Sequence, residues 1–168
     1  MASKFTSRTS WREKLERDEH SKIVQIPPRM VKRFGGGTML IPKPLDVDAL
    51  IRKTGKGLLI TTSEIRARLA RDNKVDVTCP LTTGIFIRIA AEAAEEDLRN
   101  GKKRVTPYWR VVRDDGSLME KFPGGVKAQA QRLEDEGHKI EPGKGKKPPK
   151  VREFEKSMVL LSPRSRKV

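Results

Sequence analysis

The sequence predicts a mainly α-helical fold with short strands, built on a helix-turn-helix and carrying an extension at each end. Three observations lead to this. Apolar residues recur at helical spacing from Asp46 to the mid-130s. Two capping boxes, Ser10-x-x-Glu13 and Thr61-x-x-Glu64, each open a helix. Elsewhere, apolar runs too short for helices lie between proline and glycine breakers. A chain of 168 residues makes one domain with extensions, divided as 1–45, 46–139 and 140–168. Hydrophobic and charged residues each make up 35%, and the apolar ones are bunched, so a compact centre with polar ends is expected.

Taken in order, residues 1–9 form a basic tail. Ser10 caps a short helix through about Asp18 that places Trp11 and Leu15 on one face, with Trp11 as a packing anchor. Residues 23–26 and 38–41 read as strands, and 28–34 as a helical turn. Gly35, Gly36 and Gly37 form a flexible turn and not a phosphate loop, because no Gly-Lys-Ser/Thr follows them. Asp46 is expected to cap a helix through about Thr54, with Val47, Leu50 and Ile51 facing inward. After the apolar run 58–60, Thr61 opens a helix to Asp72, burying Ile65 and Leu69 and displaying Arg66, Arg68 and Arg71.

A turn over 73–80 leads into a long helix over 81–98. Its first turn is small and neutral (Thr82, Thr83, Gly84), its body apolar (Ile85, Phe86, Ile89, Ala93) and its last half acidic (Glu92, Glu95, Glu96). Two helices joined by a short turn suggest a helix-turn-helix, although two packed core helices give the same pattern. Phosphate would be repelled by the acidic half, so nucleic-acid contact is expected only from the first turns. Next come a basic loop with Lys102 and Lys103, the segment Thr106-Pro107-Tyr108-Trp109-Arg110-Val111-Val112 ending as a strand, and a turn at Asp114-Asp115-Gly116. Phe122-Pro123-Gly124-Gly125 leads into a helix over 126–136, apolar at Val126, Ala130 and Leu133. The loop over 142–149 carries Lys144, Lys146 and Lys147, 151–161 returns as strand or helix, and 162–167 is a basic tail.

A net charge of +15 favours a polyanionic partner, nucleic acid first and an anionic membrane second. Cys79 is the one cysteine, which excludes an internal disulfide and any multi-cysteine metal site, and His20 and His138 do not make up a zinc set. There is no cofactor motif. With no apolar signal region or membrane-length run, a cytoplasmic protein is expected, nucleoid-associated if it binds DNA.

The order of motifs from about Asp46 to Lys139 resembles the methylated-DNA–protein cysteine methyltransferases, the O6-alkylguanine repair proteins. That family places a helix-turn-helix before a Pro-Cys-His-Arg-Val loop, then an Asp/Ser-Gly turn, an aromatic-x-Gly-Gly segment and a helix ending in Glu-Gly. Here the series is 61–89, Pro107-Tyr108-Trp109-Arg110-Val111, Asp115-Gly116, Phe122-Pro123-Gly124-Gly125 and Glu136-Gly137. The resemblance implies a winged helix-turn-helix that approaches DNA from the minor groove and flips a base.

The departures shape the expected function. The family's nucleophilic cysteine, its activating histidine and the glutamate that holds the histidine correspond to Tyr108, Trp109 and Glu136. Alkyl transfer needs a thiolate and an adjacent base. A phenol with a pKa of about 10 stays protonated at neutral pH, and tryptophan accepts no proton. No catalysis is therefore expected, and Cys79 lies outside the loop motif. The chain is most similar to the cysteine-lacking alkyltransferase-like members, which bind alkylated bases without repairing them. Further departures implied by the alignment are Leu81 for the intercalating arginine, Thr62 for the tyrosine that helps rotate the nucleotide, and Ala90 for the hinge asparagine.

The expectation is a noncatalytic DNA-binding module with a degenerate pocket made by Pro107, Tyr108, Trp109, Arg110, Phe122, Gly124 and Glu136. Its aromatics would either stack a base or fill the former pocket as core, and Arg110 would either brace the loop or touch ligand. Nucleic-acid contacts are expected from Thr62, Arg66, Arg68, Arg71, Leu81, Thr82, Thr83, Gly84 and Arg88, and from the five lysines at 102, 103, 144, 146 and 147. A general DNA- or RNA-binding protein using the same fold, or a repurposed enzyme, are the alternatives.

Overall fold

The computed structural model describes residues 9–17 and 19–159. In chain order it contains α1 (Trp11–Leu15), β1 (Lys22–Gln25), α2 (Pro28–Phe34), β2 (Thr38–Ile41), α3 (Pro44–Arg52), β3 (Ile60–Thr61), α4 (Thr62–Asp72), β4 (Val77–Thr78) and α5 (Pro80–Arg99). A 3-10 turn at Tyr108–Arg110 then precedes β5 (Val111–Val112), α6 (Gly125–Asp135), β6 (Ile140–Glu141), β7 (Lys150–Val151) and a 3-10 turn at Phe154–Ser157. The architecture is mainly helical with short strands, and none of the described helices is long and apolar enough to cross a membrane. Residues 1–8 of the expected tail at 1–9, the whole expected tail at 162–167, and the helix end at Asp18 lie outside the described residues.

Local chemistry explains the helix starts. Both halves of the α1 capping box are formed: Glu13 N–H donates to Ser10 Oγ at 3.0 Å and Ser10 N–H to Glu13 Oε2 at 3.3 Å. At α4, Thr61 Oγ1 accepts from Glu64 N–H at 3.2 Å. α3 begins at Pro44 and not at an Asp46 cap. Proline at the first position is preset for a helix and has no N–H to leave unpaired, so Asp46 falls within the first turn. α5 starts on Pro80 in the same way.

Three small sheets tie distant segments together. β1 and β2 pair antiparallel, and β2 pairs parallel with β4, aligning Met39 with Val77 and Leu40 with Thr78. The expected plain turn over 73–80 therefore contains a strand, and Cys79 N–H also donates to Leu40 O at 2.8 Å. β3 pairs parallel with β5 and β6 antiparallel with β7, while Leu59 bridges Met158 and Ser117 bridges Lys150.

The main core joins Val47, Leu50, Ile51, Ile65, Leu69 and Ile87 to Leu15 of α1 and Leu40 of β2. A second cluster packs Leu59, Val112, Leu118 and Leu133 against Val151 and Phe154. Both extensions thus supply core side chains to the segment between them.

Candidate nucleic-acid interface

Pro107 and Tyr108 are buried, and the 3-10 turn folds Tyr108 inward to 2% exposure. Its hydroxyl donates to Glu95 Oε1 at 2.6 Å, and the same oxygen accepts from an Arg132 guanidinium nitrogen at 2.6 Å. The ring meets Trp109 and Phe122 edge-on, at centroid distances of 5.4 and 5.2 Å. Burial first, and the Glu95 hydrogen bond second, push the phenol pKa well above its ordinary value. Tyr108 is therefore a protonated donor and core residue. Tyr108 and Phe122 bury each other, so of the two readings of the aromatics a three-ring wall is not presented to solvent.

The rest of the loop is clamped to Glu136 at the end of α6. Trp109 Nε1–H donates to Glu136 Oε1 at 3.1 Å, and Arg110 reaches the same carboxylate through Nε at 3.0 Å and Nη2 at 2.6 Å. Arg110 Nη1 also donates to Thr54 O at 2.6 Å, which makes this arginine a brace for the loop. Burial raises the Glu136 pKa, but the hydrogen bonds from Arg110 and Trp109 outweigh it and hold the carboxyl below the usual range. Gln129, absent from the sequence reading, is buried to 1% exposure and stitches the loop to α6. Its Nε2 donates to Trp109 O at 3.0 Å and Val111 O at 2.8 Å, while its Oε1 accepts from Met119 N–H at 2.7 Å. The available signal was position: Gln129 lies three residues after Val126 and four before Leu133, on the apolar face.

Beside this loop lies the head of α5. Leu81 is 70% exposed and Ile85, one turn on, 50%. Together with Pro80, Gly84, Arg88, Met119, Lys121 and Phe122 they line a cavity of about 310 Å³. Space around the Gly84 Cα is open, so its backbone is approachable. Thr83 does not belong to this surface: it is 1% exposed and its hydroxyl donates to Cys79 O at 2.7 Å. Thr82 Oγ1 donates to the Cys79 sulfur at 3.3 Å, inside the same first turn. Gly124 takes φ +77° in the left-handed region where the chain enters α6, and is not among the residues that line the cavity.

The predicted cations are dispersed. On α4, Arg66 donates to Ser63 Oγ at 3.0 Å, Arg68 pairs with Asp72 at 3.0 Å and Arg71 is exposed. Thr62 Oγ1 donates to Asp114 at 3.3 Å and Ser63 N–H at 3.0 Å, pinning the 113–116 turn to the α4 N-terminus. Lys102 pairs with Asp97 at 3.4 Å, Lys103 lies with Trp109 and Arg132 around another cavity, and Lys144, Lys146 and Lys147 are exposed on the β6–β7 loop.

The acidic half of α5 holds protein and not solvent alone. Glu96 accepts the Trp11 and Arg12 N–H groups at 3.0 and 3.1 Å, anchoring α1. Asp97 pairs with Arg12 and Lys102, and Glu95 serves Tyr108 and Arg132. Of these acids, Glu95 and Asp97 are paired with cations.

The loop after a helix pair, clamped to a glutamate at the end of α6, carries the features in which the sequence resembles the alkyltransferase-like class. Among solved structures, the chain is similar to an alkyltransferase-like protein, S. pombe Atl1, in complex with damaged DNA containing O6-carboxymethylguanine. The identity is 19% and the TM-score 0.47, over 71% of this chain and 94% of that one. No protein-family model matches the chain, and no curated protein matches it.

Proposed function

We propose that the protein is a noncatalytic alkyltransferase-like DNA-binding protein, a winged helix-turn-helix that engages duplex DNA through the head of α5. The observation that carries this reading is the exposed pair Leu81 and Ile85 beside an apolar cavity rimmed by Arg88 and Lys121, on a chain of net charge +15. Apolar side chains at such a position act as wedges between base steps, while cations around them hold phosphates. Chemistry is not expected at the loop, where the Tyr108 hydroxyl is a donor to Glu95 and the Trp109 indole a donor to Glu136. With Tyr108 filling the loop interior, recognition of an alkylated or extrahelical base would fall to the cavity beside Phe122. A cytoplasmic, nucleoid-associated location accords with this reading.

Salt-titrated fluorescence anisotropy on plain duplex, duplex containing O6-methylguanine and an RNA hairpin tests it. Duplex DNA should bind with a steep salt slope, and Leu81→Ala should weaken binding by about 1–2 kcal/mol, the scale of one lost apolar contact. RNA bound as tightly as duplex would favour a ribonucleoprotein role, and failure to bind any probe would remove the nucleic-acid reading. Transfer of label from methylated DNA to the protein would overturn the noncatalytic assignment.

A further inference from the structure

The β6–β7 hairpin lines no part of the cavity at the head of α5. From Lys139 to Lys156 the chain has seven Lys and Arg residues against three Glu. Lys144, Lys146 and Lys147 are exposed and have no carboxylate partner among the described residues. A charge run of this kind is ordinarily only solvated, but three structural features set this one apart.

First, the loop is closed on itself. Lys147 N–H donates to Lys144 O at 2.9 Å, and a Cβ on Gly143 would lie 2.2 Å from Lys147 O and 3.0 Å from the Pro148 backbone. Gly145 adopts φ +58°, and Pro148-Pro149 stiffens the return. The lysines therefore project from a preformed turn, and little ordering is needed on binding.

Second, the hairpin is registered to the segment that leads into the proposed interface. Lys150 bridges Ser117, Leu118 N–H donates to Pro149 O at 2.9 Å and Val151 N–H to Gly116 O at 2.9 Å. Phe122, in the cavity beside Leu81, follows Leu118 by so few residues that their Cα atoms are at most about 14 Å apart at about 3.5 Å per residue. The same duplex is therefore within reach of both elements, the lysines lying a further two to five residues out from Pro149.

Third, the two carboxylates of the 113–116 turn already have partners. Asp114 accepts from Ser63 N–H at 3.0 Å, and Asp115 from Ser117 N–H at 2.9 Å. The hairpin's own acid is Glu141 of β6, set opposite Lys150.

We propose that the β6–β7 hairpin is a second, preformed phosphate-binding element that grips the backbone of the same duplex outside the footprint of the α5 head. The proposal rests on the DNA-binding reading above and adds a bipartite footprint to it. The hairpin sets length dependence and salt dependence, while the head of α5 sets contact with the bases.

The test uses the full chain, with anisotropy on duplexes of about one and about two helical turns across a salt series. The wild type should gain affinity on the longer duplex beyond the added number of sites. The triple variant Lys144→Gln, Lys146→Gln, Lys147→Gln should lose that gain, and its salt slope on the longer duplex should fall by about 2–3, at about 0.9 per phosphate. Its affinity for the short duplex should be unchanged. Gly143→Ala keeps every charge but distorts the turn, and it should lose part of the same gain. An unchanged slope and length dependence in the triple variant overturns the proposal. Equal loss on both lengths also overturns it, as the mark of a diffuse field. Wild-type behaviour of Gly143→Ala overturns the preformed geometry. A wild type that binds neither duplex removes the DNA-binding reading itself, whereas a binding wild type with an indifferent triple variant removes only the hairpin's role.

Discussion

A phenol at 2% exposure beside a carboxylate is a fixed donor, and its removal tests whether Tyr108 is packing or ligand surface. Tyr108→Phe keeps the ring and loses one hydrogen bond, at a cost of about 1 kcal/mol. Tyr108→Ala leaves a cavity between Trp109 and Phe122 and should cost about 3–5 kcal/mol. Urea denaturation distinguishes the two. The folded phenol titrates above the unfolded value of about 10, so its contribution is complete below that pH and is lost as the pH climbs through the folded value. Wild type should therefore lose stability relative to Tyr108→Phe only on the alkaline side of about pH 10. Glu136 has the opposite sign. Its folded pKa is depressed, so its stabilisation is present above the unfolded carboxylate value of about 4.3 and is lost as pH falls through the folded value. Glu136→Gln leaves the largely buried Arg110 guanidinium without its carboxylate and should cost about 3 kcal/mol at neutral pH. The difference from wild type should shrink in acid. A flat difference across the acid range would show that the Arg110 clamp is not what holds the loop.

At the level of elements, α1 has only five residues, too few to hold a helix in isolation, and it persists because α5 receives it. Leu15 is fully buried in the main core and Glu96 takes two N–H groups of the first turn. Leu15→Ala should therefore destabilise the whole protein by about 2–5 kcal/mol, read as a lowered thermal midpoint for the global transition. A separate early transition of α1 alone would contradict this. The same elements show what sequence reveals and what it does not. The capping box at Ser10, the N-cap at Thr61, and the inward faces of Val47, Leu50 and Ile51 were legible because partners lie within a turn or two. The acidic half of α5 showed in sequence only its repulsion of phosphate, because Trp11 and Arg12, which occupy Glu96, lie 85 and 84 residues away. β4 was illegible for a related reason: two residues carry no period, and its partner β2 is remote in sequence. In the site, the motif order exposed Tyr108, Trp109 and Glu136 as a group. Pattern alone could not say that Tyr108 turns inward or that Thr83 is buried, since both depend on packing across elements.

For the whole molecule, the segment 46–139 resembles a unit in sequence yet shares its core with both extensions. Leu15 and Leu40 enter the main cluster from one side, and Val151 and Phe154 the second cluster from the other. Burying each large apolar side chain stabilises by about 1.5–3 kcal/mol, so the four together match much of the about 5–15 kcal/mol that a domain has in total. A fragment spanning 46–139 should therefore lack the cooperative thermal transition of the full chain. Function should fail with it, because β2 is what holds β4 and the start of α5: Cys79 N–H donates to Leu40 O at 2.8 Å, immediately before Pro80 and Leu81. Extending the fragment to residues 9–159 should restore both a sharp transition and binding to duplex DNA. A 46–139 fragment that melts cooperatively and binds with the full-length salt slope would instead show that the extensions decorate a self-sufficient domain, and the assignment of the β1–β2 hairpin as the support for the α5 head would fall.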